Sequence, residues 1–394
     1  MKNIIFLVSI VFLISSCHVG RFVIRNFANI TDYKFFENEE IEKAQIPFHF
    51  YTVDTSTLDG RIPKFINPQT DRIPFEEYLE DKETTAFIII KQDSILYETY
   101  FNGYERESIE TSFSMAKSYV SALIGICLEE GLINSTDDSI TKYLDIFKNP
   151  GFDNITIQHL LDMQSGIKFN ESYINPFGHV AKFYYGTNLK KYVSKLKIAE
   201  LPGRFNYRSV DTQILGMLIE EVTGKSLAQN LEEKIWSKIG TEFDASWSLD
   251  SKKHKTAKAF SSLNARAIDY AKFGRLYLNN GNWDGKQVLP EWWVKESTTY
   301  SKVRQNLTYQ NQWWFVNKKP LAKDSLKQRV LYTNKIGELV EIIPPQAYMA
   351  QGILGQYIYI DPEKELIIVR LGKNYGKNSA WSNLFWSISR LYKD

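Results

Sequence analysis

TSFSMAKSYVSALIGICLEEGLI (111–133) places Ser114 and Lys117 at the head of a segment that is otherwise apolar nearly all round. A helix apolar on every side belongs in a core, and a lysine at its head has to be paired or put to use, because burial disfavours the ammonium form. The i, i+3 spacing sets the two side chains on one helical face, one turn apart. A serine becomes a nucleophile only when a base takes its proton, and a lysine serves when its surroundings make the neutral amine accessible. The helix N-terminus adds unpaired N–H groups and a positive dipole end, which favour the negative charge that develops on an attacked carbonyl. The pattern suits acyl transfer, with Ser114 as nucleophile and Lys117 as base.

Ser-x-x-Lys occurs four times in the chain, so context has to select among the matches. Ser139–Lys142 lies in a polar, turn-like stretch, Ser165–Lys168 is interrupted by Gly166, and Ser194–Lys197 falls in a lysine-rich segment that reads as a solvated face. Only Ser114–Lys117 leads into an apolar helix. No G-x-S-x-G or H-E-x-x-H is present, and the five histidines (His18, His49, His159, His179, His254) lack ligand spacing. A serine–histidine triad and a zinc site are therefore disfavoured, and neither a metal nor a cofactor is expected.

With 394 residues, 43% of them hydrophobic, and a net charge of +2, the chain can bury a sizeable core and carries no bias toward nucleic acid. No protein partner is predicted. MKNIIFLVSIVFLISSCHVG (1–20) has a positive Lys2, an apolar run from Ile4 to Ile14 and small residues before Cys17. It reads as a signal peptide over residues 1–17 that resembles a bacterial lipobox, with Cys17 lipidated as the new N-terminus. The predicted location is the bacterial cell envelope, as a periplasmic or outer-membrane lipoprotein held to the membrane by that anchor. The other cysteine, Cys127, sits in the apolar helix and reads as a small buried hydrophobe.

Residues 18–82, with Pro47, Pro63, Pro68 and Pro74 and little periodicity, read as an extended tether or cap. From residue 83 a globular domain runs to 394. AFIII (86–90) and SILYETYF (94–101) read as a hairpin, followed by a helix over about 114–130. The stretch from about 135 to 250 reads as mostly helical: TIQHLLDM (156–163), NLKKYVSKLKIAE (188–200) and SVDTQILGMLIEEVTG (209–224), the last closed by Gly224. AIDYAKFGRLYLNNG (267–281) adds a further helix, QYIYI (356–360) and ELIIVRLG (365–372) a second hairpin, and residues 379–391 a closing helix. Strands at both ends with helices between imply an α+β fold whose sheet is assembled from both chain termini.

Ser114-Met115-Ala116-Lys117, ITIQHLLDMQSGI (155–167), Pro202-Gly203 with Phe205-Asn206-Tyr207, and GILGQYIYIDPEKELIIVRLG (352–372) follow one another as in the serine β-lactamase-related hydrolases. The chain resembles that family over roughly residues 84–390, nearest its 6-aminohexanoate-dimer hydrolase and carboxylesterase branch. The resemblance implies a β-lactamase/transpeptidase-like antiparallel sheet flanked by helices with an all-helical subdomain. It implies a serine hydrolase that cleaves a small-molecule amide or ester through an acyl-enzyme on Ser114. Lys117 would activate Ser114, and Tyr207, in Tyr207-Arg208-Ser209, would shuttle protons to the leaving group and help activate the deacylating water. Ser209, which the resemblance makes a substrate-binding residue, stands where lactamases have asparagine. At the place of their Lys-Thr-Gly this sequence has Ala350-Gln351-Gly352, which lacks the cation that binds a substrate carboxylate. Gly352 would let substrate approach the strand, and the N–H of Ile353 would complete an oxyanion hole with that of Ser114. The resemblance also makes Tyr173 a substrate-contacting residue and Asn264, expected in a loop before a helix, either a substrate ligand or that helix's N-cap neighbour, and it leaves Gln356 without a role. A D-alanyl-D-alanine carboxypeptidase, a β-lactamase and a penicillin-binding-like sensor without turnover stay open as alternatives.

Overall fold

The computed structural model of the chain describes residues 18–25, 27–53, 65–66, 73–147, 149–299, 308–316, 330–333, 339–342, 347–376 and 380–392. The leader and Cys17 lie outside the described residues. No helix among them is long and apolar enough to cross a membrane. The chain forms two compact units, one from the segment ending at Lys43, Ile109–Ser237 and Phe243–Ala265, the other from Ala44–Ser108, Lys238–Glu242 and Arg266–Asp394.

The second unit is built on an eight-stranded sheet. Its centre joins the chain ends as the sequence implies: Leu366–Gly372 pairs antiparallel with Thr84–Lys91 on one side and with Gln356–Asp361 on the other. Thr84–Lys91 turns into Ser94–Tyr100 through Gln92 and Asp93, both at positive φ (49° and 59°), the two-residue geometry that matches the twist of a hairpin. The runs AFIII and LIIVRL are continuous rather than alternating because both faces of this sheet are covered. On one face Phe87, Ile89, Tyr359 and Ile368 pack with Phe75 and Leu79 of the helix Phe75–Asp81 and with Trp381 and Phe385 of Trp381–Ser389. On the other, the helix Ala267–Leu278 lies close at Gly274, where an added Cβ would stand 2.9 Å from Ile367.

The first unit holds a four-stranded antiparallel sheet, in the order Asn38–Ile41, Ala245–Ser248, Leu263–Ala265, Glu110–Thr111. The helices Ala116–Glu129, Ser209–Thr223 and Leu227–Lys234 pack against one another. Ser209–Thr223 stops at Gly224, whose φ of 67° suits a residue without Cβ, and Ser226 and Gln229 start the next helix with a capping box. His159 is part of another such box, with Thr156, and so has a structural use.

Two sequence expectations change here. The tether is folded over part of its length: His18–Arg25 is a helix packed on His179–Tyr185, and Asn38–Ile41 is an edge strand of the small sheet. The helix expected over 188–200 ends at Val193. Beyond it the backbone pairs with the 166–168 segment instead, Lys168 N donating to Lys197 O at 2.8 Å and Ala199 N to Gly166 O at 2.8 Å. Tertiary pairing there replaces the next helical turn.

Candidate active site

The short strand Glu110–Thr111 pairs with Leu263–Ala265, and Ser112 N donates to Leu263 O at 2.8 Å. The chain then breaks sharply at Phe113, which is buried at a φ of 46°. A bulky residue in the left-handed region costs roughly 1–3 kcal/mol, so the surroundings must hold it there. The kink starts a short 3-10 turn, Phe113–Met115, that runs into the helix Ala116–Glu129. From Glu110 to Cys127 every residue is buried except Ser114.

Lys117 is buried beneath that opening. Its Nζ stands 2.9 Å from Ser114 Oγ, donates to the Phe260 carbonyl at 2.7 Å, lies 3.4 Å from Ser209 Oγ, and faces the Tyr207 ring at 5.3 Å from its centroid. Burial brings its pKa down to about 7, against the opposing pull of the Glu171 and Asp211 carboxylates. A neutral amine is then available near neutral pH, within hydrogen-bonding reach of the serine.

Ser209 opens the helix Ser209–Thr223, and the Glu171 carboxylate closes that helix end, one oxygen accepting from Ser209 N at 2.8 Å and the other from Ser209 Oγ at 2.5 Å. A carboxylate suits the positive end of a helix dipole. Tyr207 reaches Lys117 from a loop docked on the MQSGI turn: Asn206 N donates to Met163 O and Gly203 N to Gln164 O, each at 2.8 Å. Gly166, at a φ of 71°, brings that turn so close to the returning chain that a Cβ would stand 2.1 Å from Glu200 O. Ser165, one of the rejected Ser-x-x-Lys serines, donates to buried Asp211 at 2.6 Å. Burial raises the Asp211 carboxyl to about 7, with the Ser165 hydrogen bond and Arg208 opposing.

A buried lysine on a serine at a kinked helix start, with a tyrosine over the lysine, is matched by the family comparison: the beta-lactamase family profile covers residues 75–384. The chain belongs to the beta-lactamase family. It is 26% identical over 324 residues to the 6-aminohexanoate-dimer hydrolase of Paenarthrobacter ureafaciens, covering 76% of this chain and 75% of that protein. A solved structure from Bacillus anthracis, provisionally assigned as a 6-aminohexanoate-dimer hydrolase, superposes with a TM-score of 0.70 at 26% identity over 92% of each chain. A class C beta-lactamase in complex with cefoxitin shares the fold, with a TM-score of 0.58 at 14% identity over 86% of this chain and 99% of that one. The protein is accordingly a hydrolase of the beta-lactamase family, with the α+β architecture of that family.

Within this member of the beta-lactamase family, the structure brings Ser114, Lys117, Tyr207 and Ser209 together. Tyr173 is joined to the group through Glu171, to which its hydroxyl donates at 2.8 Å, while its ring stays exposed beside exposed Ile174 and Phe177. Asn264 is placed differently from the expectation. It lies in the strand Leu263–Ala265, buried, its carbonyl oxygen accepting from Thr111 Oγ1 at 2.9 Å and its amide donating to Ser248 Oγ at 3.0 Å. Strand pairing makes that side chain a brace between neighbouring strands rather than a group on a loop. Glu171, Asp211 and the Phe260 carbonyl were missed by sequence reasoning. Glu171 and Asp211 are single acidic residues in stretches with no chemical pattern of their own, and a backbone carbonyl leaves no trace in residue identity.

Gly352 and Ile353 are residues of the second unit. Gly352 ends the strand Tyr348–Gly352 opposite Gln356, and Ile353 begins a turn whose next residue, Leu354, is left-handed at a φ of 62°. Arg370 holds this turn from below: its buried guanidinium donates to the carbonyls of Leu354 (3.0 Å), Gly355 (2.6 Å) and Lys82 (2.7 Å) and stacks 4.3 Å from the Trp381 ring. Gln356 gains a role here. Its amide exchanges two hydrogen bonds with the backbone of Gly372, at 2.6 and 3.2 Å, which fixes the start of its own strand against the next.

Proposed function

We propose that this protein hydrolyses a small-molecule amide or ester by a serine acyl-enzyme mechanism. The observation that carries the reading is the buried Lys117 amine, 2.9 Å from the Oγ of Ser114, the one residue of 110–127 that is not fully buried. As Ser114 Oγ bonds to the substrate carbonyl carbon, its proton passes to Lys117 Nζ. Collapse of the tetrahedral intermediate breaks the bond to the leaving amine or alcohol, which leaves with a proton delivered through Tyr207. Water then attacks the acyl carbon, giving its proton to the Lys117–Tyr207 pair, and the bond to Ser114 breaks as Oγ recovers a proton. The 5.3 Å approach of Lys117 Nζ to the Tyr207 ring supports this pairing, because it sets the tyrosine beside the amine with which it would share the proton.

The likeness to 6-aminohexanoate-dimer hydrolases favours a linear amide or an ester as substrate, and the Ala350-Gln351-Gly352 sequence, without a lysine, disfavours carboxypeptidase or penicillin substrates that are read by a free carboxylate. In this reading Cys17 carries a lipid that holds the enzyme at the bacterial envelope. Turnover of p-nitrophenyl esters, nitrocefin, D-alanyl peptides and the 6-aminohexanoate dimer, with Ser114→Ala as control, tests it. Ester or linear-amide turnover that vanishes in Ser114→Ala is expected. Equal rates in the variant would remove the nucleophile, and a stoichiometric adduct without turnover would make the protein a sensor.

A further inference from the structure

The Lys117 amine gains a positive charge each time it takes a proton from Ser114, in a place where burial penalises that charge. Several polar groups face it among the described residues. Its own segment supplies Ser114, the loop ahead of residue 209 supplies Tyr207, the helix Ser209–Thr223 supplies Ser209 and Asp211, and the chain near 260 supplies the Phe260 carbonyl. The loop at 171 supplies Glu171, on the far side of Ser209. Three groups thus stand in line: Lys117 Nζ lies 3.4 Å from Ser209 Oγ, and Ser209 Oγ donates to Glu171 Oε1 at 2.5 Å. The second carboxylate oxygen is fixed by Ser209 N, so the carboxylate cannot swing away without opening the helix end. Asp211 is a poorer counter-charge. It is engaged by Ser165, and burial holds much of it protonated near neutral pH.

We propose that Glu171 is the positioning residue that sets the basicity of Lys117, acting through Ser209 as the counter-charge for the ammonium formed when Ser114 gives up its proton. The inference rests on the acyl-enzyme reading above and gives Ser209 a different task from contact with substrate. It balances simply: the proton moves from Ser114 Oγ to Lys117 Nζ, no proton leaves for Glu171, and the carboxylate contributes charge alone.

The test follows the acylation burst with p-nitrophenyl acetate over roughly pH 5 to 9 in wild type, Glu171→Gln, Glu171→Asp and Ser114→Ala, with thermal melts of each. Removing the negative neighbour lowers the Lys117 pKa, so in Glu171→Gln the acid limb should move to lower pH by on the order of one unit. The plateau acylation rate should fall on the order of tenfold, because a weaker base removes the proton less readily, with KM unchanged. Glu171→Asp, whose shorter side chain weakens the contact without removing the charge, should shift the limb only part of the way. A Glu171→Gln variant that melts like wild type and keeps its acid limb in place overturns the proposal. Should Glu171→Gln fail to fold, Glu171→Asp decides, since its shorter side chain weakens the contact: a partial shift supports the proposal and an unmoved limb overturns it. A burst that survives in Ser114→Ala overturns the acyl-enzyme reading itself, whereas a silent Ser114→Ala with an unmoved Glu171→Gln limb overturns only the assignment of Glu171.

Discussion

The turn that carries Ser114 and the turn that carries Ile353 are held in similar backbone and by opposite chemistry. Each contains a bulky residue in the left-handed region, Phe113 at a φ of 46° and Leu354 at 62°. Beneath the first lies Lys117, a cation that burial brings close to neutrality. Beneath the second lies Arg370, a guanidinium that stays charged and donates to three carbonyls. A group that can lose its proton near neutral pH is available for catalysis, while one that cannot is suited to holding backbone. One left-handed turn thus stands beside a group that can react, and the other is held by a group that can only support.

Substitutions that exchange these roles give the clearest tests. Lys117→Met should abolish turnover, with a fall in kcat/KM of at least on the order of a thousandfold, while the protein still folds, as read by steady-state kinetics and a thermal melt. Arg370→Met should do the reverse. It strands three carbonyls, that of Gly355 buried and the others half-buried, and lowers unfolding stability by about 3 kcal/mol in a urea titration, while the acid limb of the pH–rate profile stays where Lys117 puts it. Gly166→Ala should fall between the two, costing about 1–3 kcal/mol through its φ of 71° and the close Glu200 carbonyl. It should also slow deacylation, because it displaces the ledge on which the Tyr207 loop is docked.

The pH dependence separates the turns further. In wild type, kcat/KM should rise as pH passes upward through about 7 and Lys117 becomes neutral. Stability follows the same sign. A lysine whose folded pKa lies below its usual 10.5 leaves the unfolded chain binding more protons between about 7 and 10.5, so its contribution to stability improves as pH rises through that window. Lys258, likewise buried and brought down to about 7, acts in the same direction. Asp211 acts oppositely between its usual 3.8 and about 7, where stability falls as pH rises. Lys117→Met should therefore flatten the rise in urea midpoint above pH 7, and Arg370→Met should leave that slope intact. The smallest catalytic effect is expected for Asn264→Ala: a loss of about 1–3 kcal/mol in stability with kcat/KM within about threefold of wild type. A KM raised tenfold would return Asn264 to the substrate site.

How far the sequence reveals these features follows from how local they are. The hairpin at 84–100, the helix behind Ser114 and the helix ending at Gly224 are written in adjacent residues, through continuous β-branched runs, an apolar helix and a glycine stop. Ser114 and Lys117 are legible for the same reason, being three residues apart. The four-stranded sheet was invisible because its strands come from residues near 38, 110, 245 and 263 and none is longer than four residues. The strand placement of Asn264 was hidden with it, since an amide before a helix and an amide in a two-sided strand look alike until the partner strands are known. Glu171 and Arg370 share that difficulty. Each acts on a residue far along the chain, 38 positions away for Glu171 on Ser209, and no spacing rule reaches that distance.

Ser112, Ser114, Ser118 and Ser121 are four hydroxyls of nearly equal intrinsic reactivity within ten residues, and all but Ser114 are sealed from water. Without the Lys117 amine beside Ser114, hydroxyl chemistry would give an electrophile no preference among them. Besides that amine, the kink at Phe113 sets Ser114 apart, since it is the one of the four that is half-buried while the others are fully buried. Selection of the reacting group is in this sense a property of the packing, so a substitution at Phe113 that relaxed the twist would alter which serine a reagent finds before it altered how fast any serine reacts.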